Sequence, residues 1–329
     1  MRKLRDMTSV GLITPTYWRD LERCALLCES VDRYVTSFAR HYLIVADEDM
    51  PLFARFNGGR RLVLPVSAFL PSWLKPLPGF IERKHRRYWW SFRTKPVNGW
   101  HIQQFVKIAA ACAIPEDRAC MLDSDVVFFR RFDVSRFGQA DLMPLYVRPG
   151  DIAADAPLHA SWVRSSHRLL GLNAPSFPAD DFIGHIIFWN QRSLRAMTAR
   201  IETVTGFDWI EALCRARAIS EYMLYGAFVR NNPDFLRDHR LTDESSCLSY
   251  WEDEPLGEAA LESMIRAAGD KYAAFSAQSF SNTPVSSIRS VLDRLQGRAD
   301  EQSAPRAPQM APAPTGEAQI KKSMSRSPS

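Results

Sequence analysis

The stretch Ala119-Cys120-Met121-Leu122-Asp123-Ser124-Asp125-Val126 decides the fold. Four apolar residues in a row read as a short buried strand, and the acidic pair stands at its end. Side chains alternate along a strand, so Asp123 and Asp125 project the same way and can aim at one point. At the carboxyl end of a strand in an open α/β sheet, that point is where ligands bind. Two hard oxygen donors there suit Mg²⁺ or Mn²⁺, ions that are readily shared with substrate phosphates. The plainer alternative is an acidic turn that caps a strand, so the surrounding sequence has to decide.

Upstream, Trp100 to Ala113 has helical spacing, with Phe105, Ile108 and Cys112 on one face. Trp100, Gln103, Gln104 and Lys107 cluster on another face. Further back, Val10 to Thr14 is an apolar run closed by Pro15, and Leu21, Cys24, Ala25, Cys28 and Val31 follow as an amphipathic helix. His41 to Ala46 forms a second apolar run, ended by Asp47-Glu48-Asp49. Arg61 to Val66 is a third strand candidate, whose proline points to an edge or a kink. A strand–helix–strand opening of this kind implies a crossover and a parallel sheet, hence an α/β fold with helices on its faces.

Between Pro71 and Asn98 the chain turns rich in proline, aromatics and cations, around Glu82-Arg-Lys-His-Arg-Arg-Tyr-Trp-Trp90, and reads as an insertion or long loop. Beyond the acidic pair, Ile183 to Trp189 is strand-like, Arg192 to Val204 is helical, and Ser220 opens another helix. Asp238 to Ala274 is mixed, and Ala274 to Phe280 reads as a last short strand. One domain over residues 1–296 is therefore expected. From Gly297 the chain is rich in alanine, proline and serine and reads as a disordered tail over 297–329.

The 329 residues are 46% hydrophobic and 24% charged, which is globular material with ample core. No run approaches the roughly 18–20 apolar residues of a membrane span. The basic start is not followed by a signal-peptide core, and six cysteines without zinc spacing fit a reducing, cytoplasmic setting. A net charge of +5 hints at anionic ligands.

The order of these segments resembles the GT-A fold of nucleotide-sugar glycosyltransferases. The nearest likeness is to a bacterial family of poorly characterised glycosyltransferase-like proteins with a domain of unknown function. It rests on Gly99-Trp-His-Ile-Gln-Gln-Phe-Val-Lys107, Leu122-Asp-Ser-Asp-Val126, Trp189-Asn190, Ser220-Glu-Tyr-Met-Leu-Tyr-Gly226 and Gln278-Ser279, and spans roughly residues 10 to 290. The resemblance implies a GT-A-like, mostly parallel mixed sheet flanked by helices. It also implies a metal-dependent enzyme that moves a sugar from a nucleoside-diphosphate donor to a saccharide or glycolipid acceptor in surface polysaccharide or glycolipid synthesis.

By the same resemblance, Asp125 is the main ligand of Mn²⁺ or Mg²⁺ and Asp123 contacts the metal or the ribose. Thr14, Asp47, Gln104 and Lys107 then lie on the donor, with Asp47 near the base and Lys107 on the phosphates. Glu221 is the expected general base, against the plainer reading of an acid in a capped first helical turn. Asp181, with Asp180, is expected to line the acceptor pocket, against an acidic turn. His185 reads as a hydrogen-bonded core histidine and His239 as a residue of a polar loop. The His-x-x-Gly of some relatives is missing, which leaves the third metal ligand open.

Two other classes compete. Asp123-Ser-Asp-Val-Val127 fits the loose motif of haloacid-dehalogenase-type phosphatases, but that motif sits on the first strand of its core. The basic and aromatic segment from Arg83 to Lys95 would suit nucleic acid, but no nucleic-acid motif accompanies it, and none is expected as a partner. The whole segment from Pro71 to Asn98, with aromatics and cations interleaved, instead suggests docking on the cytoplasmic leaflet of the membrane, against the plainer reading that its aromatics pack on the core and its cations are solvated.

Overall fold

The computed structural model describes residues 9–78, 87–138, 142–216 and 218–303. Its centre is a five-stranded sheet in which Val10–Thr16 is the middle strand. On one side lie His41–Val45 and then Arg61–Pro65, both parallel to it, with Arg61–Pro65 at the edge. On the other side lie the acidic strand Arg118–Leu122, also parallel, and the antiparallel edge strand Ile186–Asn190. The expected α/β class, a mainly parallel sheet flanked by helices, therefore holds.

The first strand runs through Pro15 instead of stopping before it. Its pairing with the acidic strand ends at Ile13, so from Thr14 onward only His41–Val45 lies alongside. A proline is tolerated there because the missing N–H faces no second partner. Helix Leu21–Tyr34 buries Cys24 and Cys28, one turn apart, as small core residues with free thiols. Helix Gly99–Ala113 begins where Asn98 caps it by accepting the His101 N–H at 3.1 Å.

Several expectations change. The segment after Pro71 is not a plain loop: Lys75–Pro76, Tyr88–Trp90 and Val97–Asn98 make a small antiparallel sheet. Leu74, Trp89 and Val97 anchor it in the main core. Arg83, Lys84 and Arg86 lie outside the described residues. Between the acidic pair and residue 183 the fold holds helix Pro157–Leu170, which the sequence reading passed over. The strand Ala274–Ala277 is not the last element, since helix Val285–Ser303 follows it. That helix runs past Gly297, where the tail was expected to begin. Its sequence stays compatible with helix until Pro305, and a proline disfavours helical backbone in the residue before it. The remainder of the tail lies outside the described residues. No helix among the described residues is long and apolar enough to cross a membrane.

Candidate active site

The order of the central sheet fixes where a ligand can sit. From the middle strand the chain steps outward through His41–Val45 and Arg61–Pro65, then returns to the opposite flank for Arg118–Leu122. The direction of winding reverses between Val10–Thr16 and Arg118–Leu122, and a crevice opens outside their carboxyl ends. Asp20 follows the first strand, and Asp123 and Asp125 follow the second. The three lie close together, since the charges of Asp123 and Asp20 both act on Asp125.

Asp123 is held from behind. Lys107, from helix Gly99–Ala113, places its Nζ 2.8 Å from Asp123 Oδ1. The same ammonium donates to Glu221 Oε1 at 3.0 Å and to the Tyr222 hydroxyl at 3.0 Å. Its three N–H groups are thereby used, and its charge also lies 4.8 Å from the centre of the Tyr222 ring. Burial opposes the lysine's charge, but Asp123 and Glu221 outweigh it and hold the ammonium well above the usual lysine range. The Tyr222 phenol is pushed well above its ordinary value by burial and by Asp123, so it stays a neutral hydroxyl.

Gln104, one helical turn before Lys107, continues the network. With its amide turned to suit both neighbours, it donates to the Ile219 carbonyl at 3.2 Å and to Glu221 Oε2 at 3.3 Å. Both Glu221 oxygens are therefore occupied, and the residue is 4% exposed. Ser220 caps the helix Glu221–Arg230 by accepting the Met223 N–H at 3.4 Å. Glu221, expected as the general base, is thus buried with both oxygens hydrogen-bonded to Lys107 and Gln104. Lys107, expected on the donor phosphates, bonds Asp123, Glu221 and Tyr222, and Gln104 bonds Glu221.

Asp125 is in the opposite condition. Its Oδ1 is buried and lacks a well-formed hydrogen bond, the Ser276 hydroxyl beside it being likewise unsatisfied and lowering its pKa only slightly. Burial, then the nearby charge of Asp123, pushes its carboxyl up to about 7. Asp20 is likewise raised, first by burial, and it accepts the Ser124 hydroxyl at 3.3 Å. Arg23 is a counter-charge that partly offsets this, while its guanidinium also donates to the carbonyls of Ala277 and Thr283. A buried carboxylate oxygen without a well-formed hydrogen bond, beside a second carboxylate, fits a divalent cation. Among the described residues no group of three or more His, Cys, Asp and Glu could hold one. Two protein carboxylates suffice only for an ion that keeps oxygens from water or substrate, as Mg²⁺ usually does.

The other residues expected on the donor or the acceptor are bonded within the protein. Thr14 is fully buried inside the sheet, two residues short of the strand's end, and its Oγ1 pairs with His41 Nε2 at 3.1 Å. Asp47 accepts both the backbone N–H of Ser67 at 3.1 Å and the Ser67 hydroxyl, which ties it to the turn after the edge strand. The buried acid at that crest is Asp49. It accepts the Trp18 N–H at 3.0 Å and both Arg87 terminal nitrogens at 2.9 and 3.0 Å. Asp181 is 3% exposed, accepts from Arg148, and bonds the N–H of Ile183 at 2.9 Å, so it braces its own turn. Asp180 meets Gly150 N–H at 3.2 Å and Arg230 at 3.5 Å.

Both histidine readings also change. His239 begins the strand His239–Thr242 and is buried, bonded to the Tyr225 hydroxyl and the Phe235 carbonyl at 2.8 Å each. His185 is buried as expected, but neither ring nitrogen has a hydrogen-bond partner among the described residues. It directly precedes the edge strand, whose Ile186 pairs with Leu122, so it stands beside Asp123. Burial lowers its pKa, so the imidazole is neutral, while Asp123 and Lys107 pull it in opposite directions. Sequence reasoning missed Asp20 and Tyr222. Asp20 was open to the same argument that found Asp123, since it too follows a parallel strand's carboxyl end.

A comparison with curated proteins finds no match. Among solved structures, the apo form of the glycosyltransferase GlyE from Streptococcus pneumoniae TIGR4 is similar at 11% sequence identity and a TM-score of 0.41. The match covers 89% of this chain and 64% of that one, so this chain spans less than two thirds of its length. The family of unknown function DUF6492 matches over residues 7–298, and the chain belongs to that family.

Proposed function

We propose that this protein is a metal-dependent glycosyltransferase of GT-A type, which moves a sugar from a nucleoside-diphosphate donor to a hydroxyl acceptor. One observation carries the reading: Asp123 and Asp125 stand at the crevice where the sheet reverses, one carboxylate clamped by a buried lysine and the other without a well-formed hydrogen bond on its buried oxygen. A purely structural acidic turn would satisfy its oxygens locally, as Asp47 and Asp181 do.

Mn²⁺ or Mg²⁺ would be held by Asp125 and by the free oxygen of Asp123, together with the donor's diphosphate. Such an ion, when bound, stabilises the negative charge that grows on the leaving diphosphate. Lys107 fixes where Asp123 points, and Glu221, Gln104 and Tyr222 fix Lys107. Because Asp123 is held before the ligand arrives, little reorganisation remains to be made on binding. Six free cysteines support a reducing compartment, hence the cytoplasm.

Peripheral membrane contact belongs to the same proposal. Phe92 is 96% exposed at the tip of the small sheet, flanked by the exposed cations Arg93 and Lys95. An aromatic that protrudes among cations suits the interface of an anionic leaflet, where lipid-linked acceptors are found. Thermal-shift measurement with uridine and guanosine diphosphates, with and without Mn²⁺, tests the enzyme reading. Stabilisation that requires both nucleotide and metal supports it, and no stabilisation by any nucleoside diphosphate refutes it.

A further inference from the structure

A cavity of about 180 Å³ opens between helix Pro157–Leu170, strand Ala179–Asp181 and the far end of helix Glu221–Arg230. Its inner wall is apolar, from the buried side chains of Val163, Phe182, Met223 and Ala227. Pro175 and Pro178 extend that wall outward to the surface. The Phe182 ring is pinned, because it packs so closely on Gly226 that a Cβ at that glycine would lie 2.1 Å away. None of Asp20, Asp123 and Asp125 borders this cavity. At 1.5 Å per residue, Arg230 lies about 13 Å along the helix from Glu221, so the cavity is separate from the acidic crevice.

The mouth is polar. His167, Ser176, Asp180, Arg230 and Asn231 line it, and all five are partly or fully exposed. Their bonds within the protein leave capacity over. Arg230 meets Asp180 through Nε at 3.5 Å, and its terminal N–H groups have no partner among the described residues. His167 Nδ1 lies 2.7 Å from the Asn173 carbonyl, which can only accept. Nδ1 therefore carries the proton, and the neutral ring keeps Nε2 as an acceptor. Asn231 donates its amide N–H to the Ala227 carbonyl at 2.9 Å and keeps its oxygen.

These groups select the occupant by elimination. An anion suits Arg230 but meets the Asp180 carboxylate, His167 Nε2 and the Asn231 oxygen, and a cation meets Arg230. A neutral group that both donates and accepts suits them all, and a hydroxyl is such a group. The five polar residues come from four separate segments, so the ligand carries hydroxyls around its perimeter and an apolar face for the wall. The volume is below the roughly 300 Å³ at which sites for drug-sized ligands begin, which limits the occupant to one small ring. We propose that this cavity is a saccharide site for a single pyranose unit, its C–H face against the apolar wall and its hydroxyls on Arg230, His167 and Asn231. The inference does not rest on the glycosyltransferase reading, since neither the acidic pair nor Lys107 lines the cavity.

The test uses saturation-transfer NMR on the full chain with methyl glucoside, methyl galactoside, methyl mannoside and methyl N-acetylglucosaminide. Inorganic phosphate and uracil serve as competitors, and affinities for uridine and guanosine diphosphates are measured in parallel. The wild type is expected to bind at least one glycoside, which neither competitor displaces. Arg230→Met and Ser176→Tyr, both at exposed positions, are each expected to weaken that binding at least fivefold, and Arg230→Lys to keep part of it. Nucleoside-diphosphate affinity should be the same in all three variants as in the wild type. A wild type that binds none of the four glycosides overturns the inference, as does glycoside binding that is unchanged in both Arg230→Met and Ser176→Tyr. Displacement by phosphate or by uracil also overturns it, by showing an anion site or a base site. Glycoside binding that behaves as expected in a protein that binds no nucleoside diphosphate refutes the enzyme reading and leaves the saccharide site standing.

Discussion

Lys107 reaches Asp123 across 2.8 Å with the lysine side chain 7% exposed and the aspartate 34% exposed. The buried cation thus presents a carboxylate to the crevice while its own charge is balanced from within by Glu221. Breaking such a pair from one side strands a charge. Lys107→Met is expected to destabilise the fold by about 3–5 kcal/mol, because Glu221 is left buried without its cation. Adding Glu221→Gln should recover a large part of that loss in urea denaturation, since the two residues share one network. Strictly additive losses would show that the bridge has no energetic weight.

A second expectation concerns Gly226, inside the helix that carries Glu221. A Cβ there would lie 2.1 Å from Phe182 Cγ, and the ring, more than its flexible end, would have to move. Gly226→Ala should therefore cost about 1–3 kcal/mol through overpacking, despite alanine's better helix propensity. Placing the same change in a Phe182→Leu background should reduce the penalty. A stabilised single variant would show that the contact is loose.

Much of this fold can be read from the chain. Strands such as His41–Val45 are buried at every position, so a continuous apolar run announces them. The acidic pair was equally plain, because strand alternation and carboxyl-end placement are local facts. The bonds of Lys107 to Glu221 and Tyr222 were not, for they join residues more than a hundred positions apart. Spacing suggested that Gln104 and Lys107 share a face, but not that another helix would close over it. Asp47 and Asp181 show the limit of such reading, because an acid beside a strand looks alike whether it meets a ligand or ties its own turn. Arg148–Ile152 escaped because a strand reading Arg-Pro-Gly-Asp-Ile is mostly exposed and carries no apolar signal.

His41 supplies a pH signature. Burial, then the charge of Arg61, lowers its pKa from 6.5 to about 3 in the folded chain. On acidification the unfolded chain takes up this proton near 6.5, whereas the native state does not until about 3. Protonation therefore favours the unfolded state across that window. Stability is full above 6.5, falls as pH drops toward 3, and levels below it. His41→Gln should flatten the dependence of stability on pH between those limits. An unchanged slope would place the acid sensitivity elsewhere.

The protruding Phe92 makes the membrane contact testable by a change that touches little of the core. Phe92→Ser with Lys95→Glu should leave thermal stability nearly unchanged and reduce co-sedimentation with phosphatidylserine vesicles at low salt. The remaining binding should weaken as salt rises, because screening shortens the reach of the cations. Equal sedimentation of wild type and variant would remove the membrane contact from the account.

The central claim is that the buried oxygen of Asp125, beside the clamped Asp123, awaits a cation shared with a nucleoside diphosphate. Isothermal titration of the nucleotide into wild type and Asp125→Asn, each with Mn²⁺ and again with excess EDTA, addresses it directly. The account predicts binding by wild type with Mn²⁺ alone, its loss in EDTA, and its loss in a folded Asp125→Asn. Nucleotide binding that survives EDTA in the wild type, or Asp125→Asn at full affinity with Mn²⁺, would contradict it.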